Sequence, residues 1–319
     1  MTDTYTNPVY DGYFADPFVL RHEDTFYAFG TGTPEHQGDR AFEVLRSPDL
    51  VHWTSLGGAL ERLPDPQARD YWAPEVACHD GRFYMYYSAG LGDKGHQLRV
   101  AVAERPEGPY HDQGRILTPD DPFTIDAHPF RDADGQWYLY YARDFLDGER
   151  VGTALVVDRL TDMLTLEGNP HTVLRASADW QIYQMGRAMY GGVYDWHTLE
   201  GPFVREHGGR YYCFYSGGAW EQPNYGVSYA VADHPLGPFY EPREGPLLLR
   251  SVPPHVIGPG HNSVVQGPGG SDYIVYHAWD ADKTGRRMCI DRLEWTEDGP
   301  VVHGPTFTPQ PAPALRQEV

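Results

Sequence analysis

The stretch IDAHPFRDADGQWYLYYAR, residues 125–143, opens on an acidic residue, turns at Asp134-Gly135 and continues as aromatic and aliphatic residues at near-alternating spacing. Alternation after a glycine turn is the mark of a β-hairpin. The same plan occurs four more times: HEDTFYAFGTG from His22, HDGRFYMYYSAG from His79, EHGGRYYCFYSGG from Glu206 and GPGGSDYIVYHAWD from Gly267. The segments ahead of the five hairpins are ADPFV, APEVA, IDAHPF, LEGPFV and GHNSVV, which put Asp16, Glu75, Asp126, Glu200 and His261 at one corresponding place. A third piece also recurs. VLRSPDLVHW, VAVAERPEGPY, ALVVDRLTDM, VSYAVADHPLGPF and MCIDRLEWTEDGP each join a short apolar strand to a turn with an aromatic residue or proline.

Three or four short strands in a unit of roughly 60 residues is the period of a propeller blade. Five such units nearly exhaust the 319 residues, so the chain reads as all-β, a single five-bladed β-propeller over residues 1–319. The Pro-rich stretch 304–319 is expected to be a tail or a ring-closing segment, and helices should be nearly absent. No linker, charge block or low-complexity run divides the sequence. A β-sandwich with irregular loops is the alternative, and the regular spacing of the repeat disfavours it.

The 25 Lys and Arg residues against 45 Asp and Glu give a formal charge of −20. Nucleic-acid backbones need clustered basic residues, so no nucleic-acid partner is expected. No run approaches the length of a membrane span, and the first residues, MTDTYTNPVYDG, lack a basic-then-apolar leader pattern; the expected address is cytoplasmic. Cys78, Cys213 and Cys289 are odd in number and fall in predicted strands, which suggests reduced, buried thiols.

The first strand of every propeller blade lines the axis, so residues at the same place in different blades converge although they are far apart in sequence. Asp16, Glu75, Asp126 and Glu200 are therefore candidates for a carboxylate cluster. Like charges in a desolvated funnel push their pKa values apart, which lets one carboxyl act as base and another as acid. Glycoside hydrolysis uses such a pair. Trp72, just before Ala73-Pro74-Glu75, is placed to stack on a sugar ring. An Asp before Pro is commonly a turn former, and a lone His is more often a packed core residue than a ligand, so each residue gains weight from the repeat and not from its own identity.

NPVYDGYFADPFV resembles the opening motif of glycoside hydrolase family 43, IDAHPFRDADGQWYLYYA its second motif and LEGPFVREHGGRYYCFYSGG its third. The resemblance covers nearly the whole chain in the family order. It implies Asp16 as general base, Asp126 as the residue that tunes and orients the acid, and Glu200 as general acid, in an inverting mechanism. YWAPEV and TGRRMCIDRLEW also resemble family segments, and imply that Arg286 reaches the substrate. Glu75 is expected near the sugar or as a supporting acceptor. GPGHNSVV resembles the segment whose His lies near the axis, often beside calcium or a water cluster, which would make His261 a calcium contact; calcium needs oxygen ligands, so such an ion would be held largely by water. No other cofactor is implied.

The expected substrate is an oligosaccharide, with exo release of α-L-arabinofuranose or β-D-xylose from plant material. Alternatives are another furanosidase or galactosidase activity, or a non-catalytic sugar-binding propeller that would have lost one of the carboxylates. A phosphorolytic enzyme would replace the base by basic residues, and a fructan hydrolase would open on an Asn-Asp-Pro-Asn motif; this chain shows neither.

Overall fold

The alternating hairpins do form antiparallel strands, and the computed structural model describes them over residues 3–32, 39–64, 66 and 68–313. Blade 1 is a four-stranded sheet built from Ala15–His22, Thr25–Thr31, Arg40–Ser47 and Thr54–Glu61. Blade 2 repeats it with Asp70–His79, Arg82–Leu91, Lys94–Ala103 and His111–Ile116, and blade 5 with Ile257–Gln266, Asp272–Trp279, Arg286–Thr296 and Gly299–Val302. Blade 3 (Thr124–Arg131, Trp137–Phe145, Gly152–Asp162 and short outer strands) and blade 4 (the second half of Gly192–His207, then Arg210–Gly217 and Gly226–Ala232) fuse into one nine-stranded sheet. The fusion runs through a parallel contact of Gly152 and Thr153 with His197 and Thr198. It requires glycine at 152, because a Cβ there would collide with the carbonyl of His197. The five-bladed propeller expected from the repeat is thus the fold. Its one helical element among the described residues is the single 3-10 turn Asp179–Gln181.

The innermost strand of every blade slips register at the same point. Pairing jumps between Ala15 and Phe18, Trp72 and Glu75, Ile125 and His128, Glu200 and Phe203, and Gly260 and Ser263. Each jump is a β-bulge, where one extra residue bends the strand and re-aims a side chain. The first bulged residue is left-handed in all five: Asp16 at φ 51°, Ala73 at 47°, Asp126 at 60°, Gly201 at 56° and His261 at 47°. Asp and His tolerate this region better than most residues, and glycine adopts it freely. The corresponding place is therefore held by Asp16, Ala73, Asp126, Gly201 and His261. Glu200 lies one residue before it and Glu75 two after, which corrects the alignment read from the sequence.

Blades pack through their aromatic faces. Phe42 of blade 1 meets Tyr71 and Tyr87 of blade 2 edge-on, with ring centroids 6.2 and 5.7 Å apart, and Phe214 of blade 4 meets Trp295 of blade 5 at 6.1 Å. Cys213 and Cys289 are buried and free, and burial pushes both thiols up. Cys78, also free, is exposed, contrary to expectation: it sits at the outer end of its strand, beyond the part that packs.

Blade 5 meets blade 1 through the segment ahead of Ala15. Val9 N–H donates to the Met288 carbonyl and Phe14 N–H to that of Arg286, both at 2.9 Å. Asn7 extends the pairing with its side chain: its amide nitrogen donates to the Ile290 carbonyl at 2.8 Å, and its amide oxygen accepts from the Ile290 N–H at 2.9 Å. Gln310–Pro311 pairs with Thr4–Tyr5, so part of the Pro-rich stretch does join the closure; residues 314–319 lie outside the described residues. Replacing Asn7 by Ala removes both bonds; the Ile290 carbonyl keeps the Tyr5 hydroxyl as donor, and the Ile290 N–H is left without its acceptor. The expected loss is about 1–3 kcal/mol, seen as a lower urea midpoint at unchanged slope.

Candidate active site

The bulges decide what reaches the axis. By turning the chain left-handed at Asp16, Asp126 and His261, they direct these side chains into one cavity of about 390 Å³, whose lining also includes Glu200, Arg286 and Trp72. Three of the bulged N–H groups are held by the second strand of the preceding blade. Thr31 Oγ1 accepts from Ala73 at 2.8 Å, Ser216 Oγ from His261 at 2.7 Å and His277 Nδ1 from Asp16 at 3.1 Å. At the corresponding place blade 3 has Ala142, which has no acceptor to offer. There the Gly201 N–H donates instead to Asp126 Oδ2, at 2.9 Å. The carboxylate of one blade thereby fixes the backbone beside Glu200 of the next.

Asp16 is 9 % exposed, and its Oδ1 lies 3.1 Å from Arg286 Nη1 and 3.5 Å from His261 Nδ1. Burial by itself would raise its pKa, but the Arg286 guanidinium and His261 together hold the carboxyl well below the usual carboxylate range. Arg286 is itself fixed. Its Nε and Nη2 donate to Tyr13 Oη at 3.1 and 2.9 Å, and its guanidinium lies 4.4 Å from the Trp220 ring centre. Neutral His277, lowered to about 4 chiefly by burial, uses its Nδ1 lone pair on the Asp16 N–H.

Glu200 meets the opposite conditions. Removal from water raises its carboxyl to about 7 against the pull of the Tyr225 hydroxyl, which donates to Oε1 at 2.6 Å, and the charge of Asp16 adds to the rise. Asp126, 6 % exposed, is raised as well, by burial first and then by the charges of Glu200 and Asp16. Asp126 and Glu200 behave as a pair whose last proton is hard to remove, because losing it puts two charges in one dry place. One cavity thus carries a carboxylate held ionised and a carboxyl pair that tends to keep a proton. Chemically, the first can accept a proton from water while the second donates one to a leaving oxygen.

Trp72 lines the cavity, its ring lying on His96 with centroids 3.6 Å apart. Glu75 does not: it is buried against His128, Oε2 to Nδ1 2.6 Å, outside the lining of this cavity. Its offset from the bulge puts it in the register position where Phe18, His128, Phe203 and Ser263 stand in the other blades, which corrects its placing as a substrate contact. Among the described residues no group of three or more His, Cys, Asp or Glu side chains is arranged to hold a metal. His261 offers a nitrogen where calcium prefers oxygen.

Sequence reasoning missed Tyr13, Trp220, Tyr225 and His277. Tyr13 was within the quoted opening motif and His277 within the last hairpin, but neither carries a charge pattern that marks it.

The sequence model of glycosyl hydrolases family 43 matches residues 5–301. The chain belongs to this family. As a family 43 member it is a glycoside hydrolase, and its structure is similar to that of a thermostable family-43 glycoside hydrolase, with a TM-score of 0.86 at 36% identity over 98% of this chain and 99% of the other. It is 30% identical to a β-D-galactofuranosidase of Aspergillus niger over 93% of this chain and 84% of that protein. It is 28% identical to an extracellular exo-α-(1→5)-L-arabinofuranosidase of Streptomyces avermitilis over 93% of this chain and 62% of that one. Further relatives are named an α-L-arabinofuranosidase, an endo-arabinanase and a putative β-xylosidase. The Streptomyces relative and the arabinanase are both named extracellular, which overturns the cytoplasmic address expected from the first residues.

The contact between Arg286 and Asp16 makes a prediction of its own. In Arg286→Met the carboxyl loses its main counter-charge while staying buried, so its pKa moves up; carboxyl ¹³C NMR should show Asp16 titrating at higher pH than in the parent protein.

Proposed function

We propose that the protein releases single pentose units, α-L-arabinofuranose or β-D-xylose, from the ends of plant-derived oligosaccharides, with inversion at the anomeric carbon, and that the whole chain serves as one catalytic unit. Asp16 acts as the base that deprotonates water, Glu200 as the acid that protonates the departing oxygen, and Asp126 as the neighbour that keeps Glu200 protonated. The observation that carries this reading is the contrast on one cavity: Asp16 held down by Arg286 and Glu200 raised to about 7. Trp72 offers a ring to a sugar, and Arg286 offers donors to its hydroxyls. Arabinofuranosidase and xylosidase names among the relatives support the choice of sugar. A second reading, galactofuranose release, is favoured by the relative from Aspergillus niger.

End-on action is supported by the wall of the cavity. The hairpin that begins with Ile182–Met189 sends Arg187 to Asp93 in the turn after Arg82–Leu91, 3.2 Å away, and both residues line the cavity. A long chain threading past would have to displace that bridge.

Incubation with aryl α-L-arabinofuranoside, β-D-xyloside, β-D-galactofuranoside and β-D-galactopyranoside, with NMR of the fresh anomer, tests sugar and stereochemistry together. Inversion is expected, and initial retention would reject Asp16 as water base. An inverting pair also needs room for water, so a crystal structure should place the carboxyls of Asp16 and Glu200 about 6.5–9.5 Å apart rather than the roughly 5–5.5 Å of a retaining pair.

The leaving group separates the two roles. Glu200→Ala should nearly abolish cleavage of a natural linkage yet spare much of the activity on an aryl glycoside with an acidic phenol, whereas Asp16→Ala should lower both by about 10²–10⁴-fold. Asp126→Asn should move the alkaline limb of the pH–rate profile down, because the last proton of the pair no longer leaves against a neighbouring charge. Calcium beside His261, if bound through water, would be structural. Chelation should then lower the melting temperature more than the activity at 25 °C, and no change in either would assign His261 to packing.

A further inference from the structure

We propose that Tyr225 is the positioning residue of the acid: it fixes which oxygen of Glu200 carries the transferable proton and holds that carboxyl in its working orientation. The inference rests on the reading of Glu200 as acid, and extends it to a residue outside the family motifs quoted above. Tyr225 is 1 % exposed, its hydroxyl donates to Glu200 Oε1 at 2.6 Å, and its ring lies nearly parallel to that of His277, 8° apart with centroids at 5.9 Å. The seat of this ring depends on Gly260, where a Cβ would collide with the Tyr225 ring carbons. The glycine before His261 in GPGHN therefore has a task distinct from that of the histidine.

The direction of the hydrogen bonds gives the proposal its detail. The His261 N–H donates to Ser216 Oγ at 2.7 Å, and the Ser216 hydroxyl lies near that of Tyr225, where it favours the ionised phenol. Ser216 pairs with Glu200 across the blade 4 ladder, so the chain of groups is short and rigid. With the backbone donor on its oxygen, Ser216 has its own hydrogen free to turn toward Tyr225 Oη, while the phenol gives its hydrogen to Glu200. Successive donors oriented one way polarise each other. Oε1 is thereby committed as an acceptor, and the proton of the neutral acid resides on Oε2.

The charged and titratable groups facing Glu200 are Asp16 from blade 1, Asp126 from blade 3, Arg286 from blade 5, Tyr183 from the hairpin, and Tyr225 itself. A hydrogen bond donated to a carboxylate favours its ionised form. Tyr225 therefore opposes the burial that raises Glu200 and keeps the acid from becoming too weak to give up its proton.

Tyr225→Phe keeps the ring and removes only the donor. The loss of one charge-assisted hydrogen bond should move the titration of Glu200 up by about one unit, read by carboxyl ¹³C NMR and, in the active enzyme, as the same upward move of the alkaline limb of kcat. The variant should lose about tenfold in kcat on a poor leaving group and much less on an activated aryl glycoside, with KM little changed. Ser216→Ala should shift Glu200 in the same direction by a smaller amount. A Glu200 titration that stays in place in Tyr225→Phe overturns the proposal whatever happens to the rate. If Glu200→Ala loses poor and activated leaving groups alike, the reading of Glu200 as acid fails, and the NMR titration still decides by itself whether Tyr225 controls that carboxyl.

Discussion

A left-handed residue in the innermost strand of each blade is the constraint on which this molecule depends. A strand that stayed regular would send alternate side chains to its two faces, between neighbouring blades, and few would look along the axis. The bulge breaks that rule once per blade, at a backbone cost of order 1–3 kcal/mol where the residue is not glycine. The cost is offset by fixed partners: the bulged N–H of Asp16, Ala73 and His261 each finds a side-chain acceptor on the preceding blade. Strain, ring assembly and the convergence of functional groups are thus one feature seen at three scales.

The same geometry sorts the charges. Asp16 faces blade 5, which brings Arg286 and two imidazoles, and Asp126 faces blade 4, which brings another carboxyl and a backbone N–H. Two aspartates at matching places of a repeat, with the same backbone conformation, therefore take opposite shifts. Neighbouring blades set their chemistry, and the residue type does not. Distance in sequence hides this: Arg286 and Asp16 are separated by most of the chain, yet the Arg286 carbonyl and the Phe14 N–H are hydrogen-bonded.

Much of the architecture was legible in the sequence because the hairpins repeat an alternation that only strands satisfy, and five copies leave few alternatives. Asp16, Asp126, Glu200 and His261 were legible because each sits in a motif ahead of a hairpin. The offset of Glu200 and Glu75 was not, since a bulge inserts a residue without changing composition, and Pro-Glu and Glu-Gly-Pro look alike until the register is known. Tyr225 was hidden for another reason. It is one of 23 tyrosines in a chain whose cores are aromatic throughout, and what sets it apart is an absence, the missing side chain of Gly260. Cys78 was misplaced because alternation predicts which face a residue takes and says little about how far along the strand packing extends.

The fusion of blades 3 and 4 into one sheet gives the ring unequal joints. Asp126 and Glu200 ride on that fused body, so their separation is insulated from the breathing of the propeller, whereas Asp16 belongs to blade 1 and is held by side chains of blade 5. Any opening of the ring would therefore leave Asp126 and Glu200 together and change the gap between them and Asp16, which is the space a water molecule and a sugar would have to fill together.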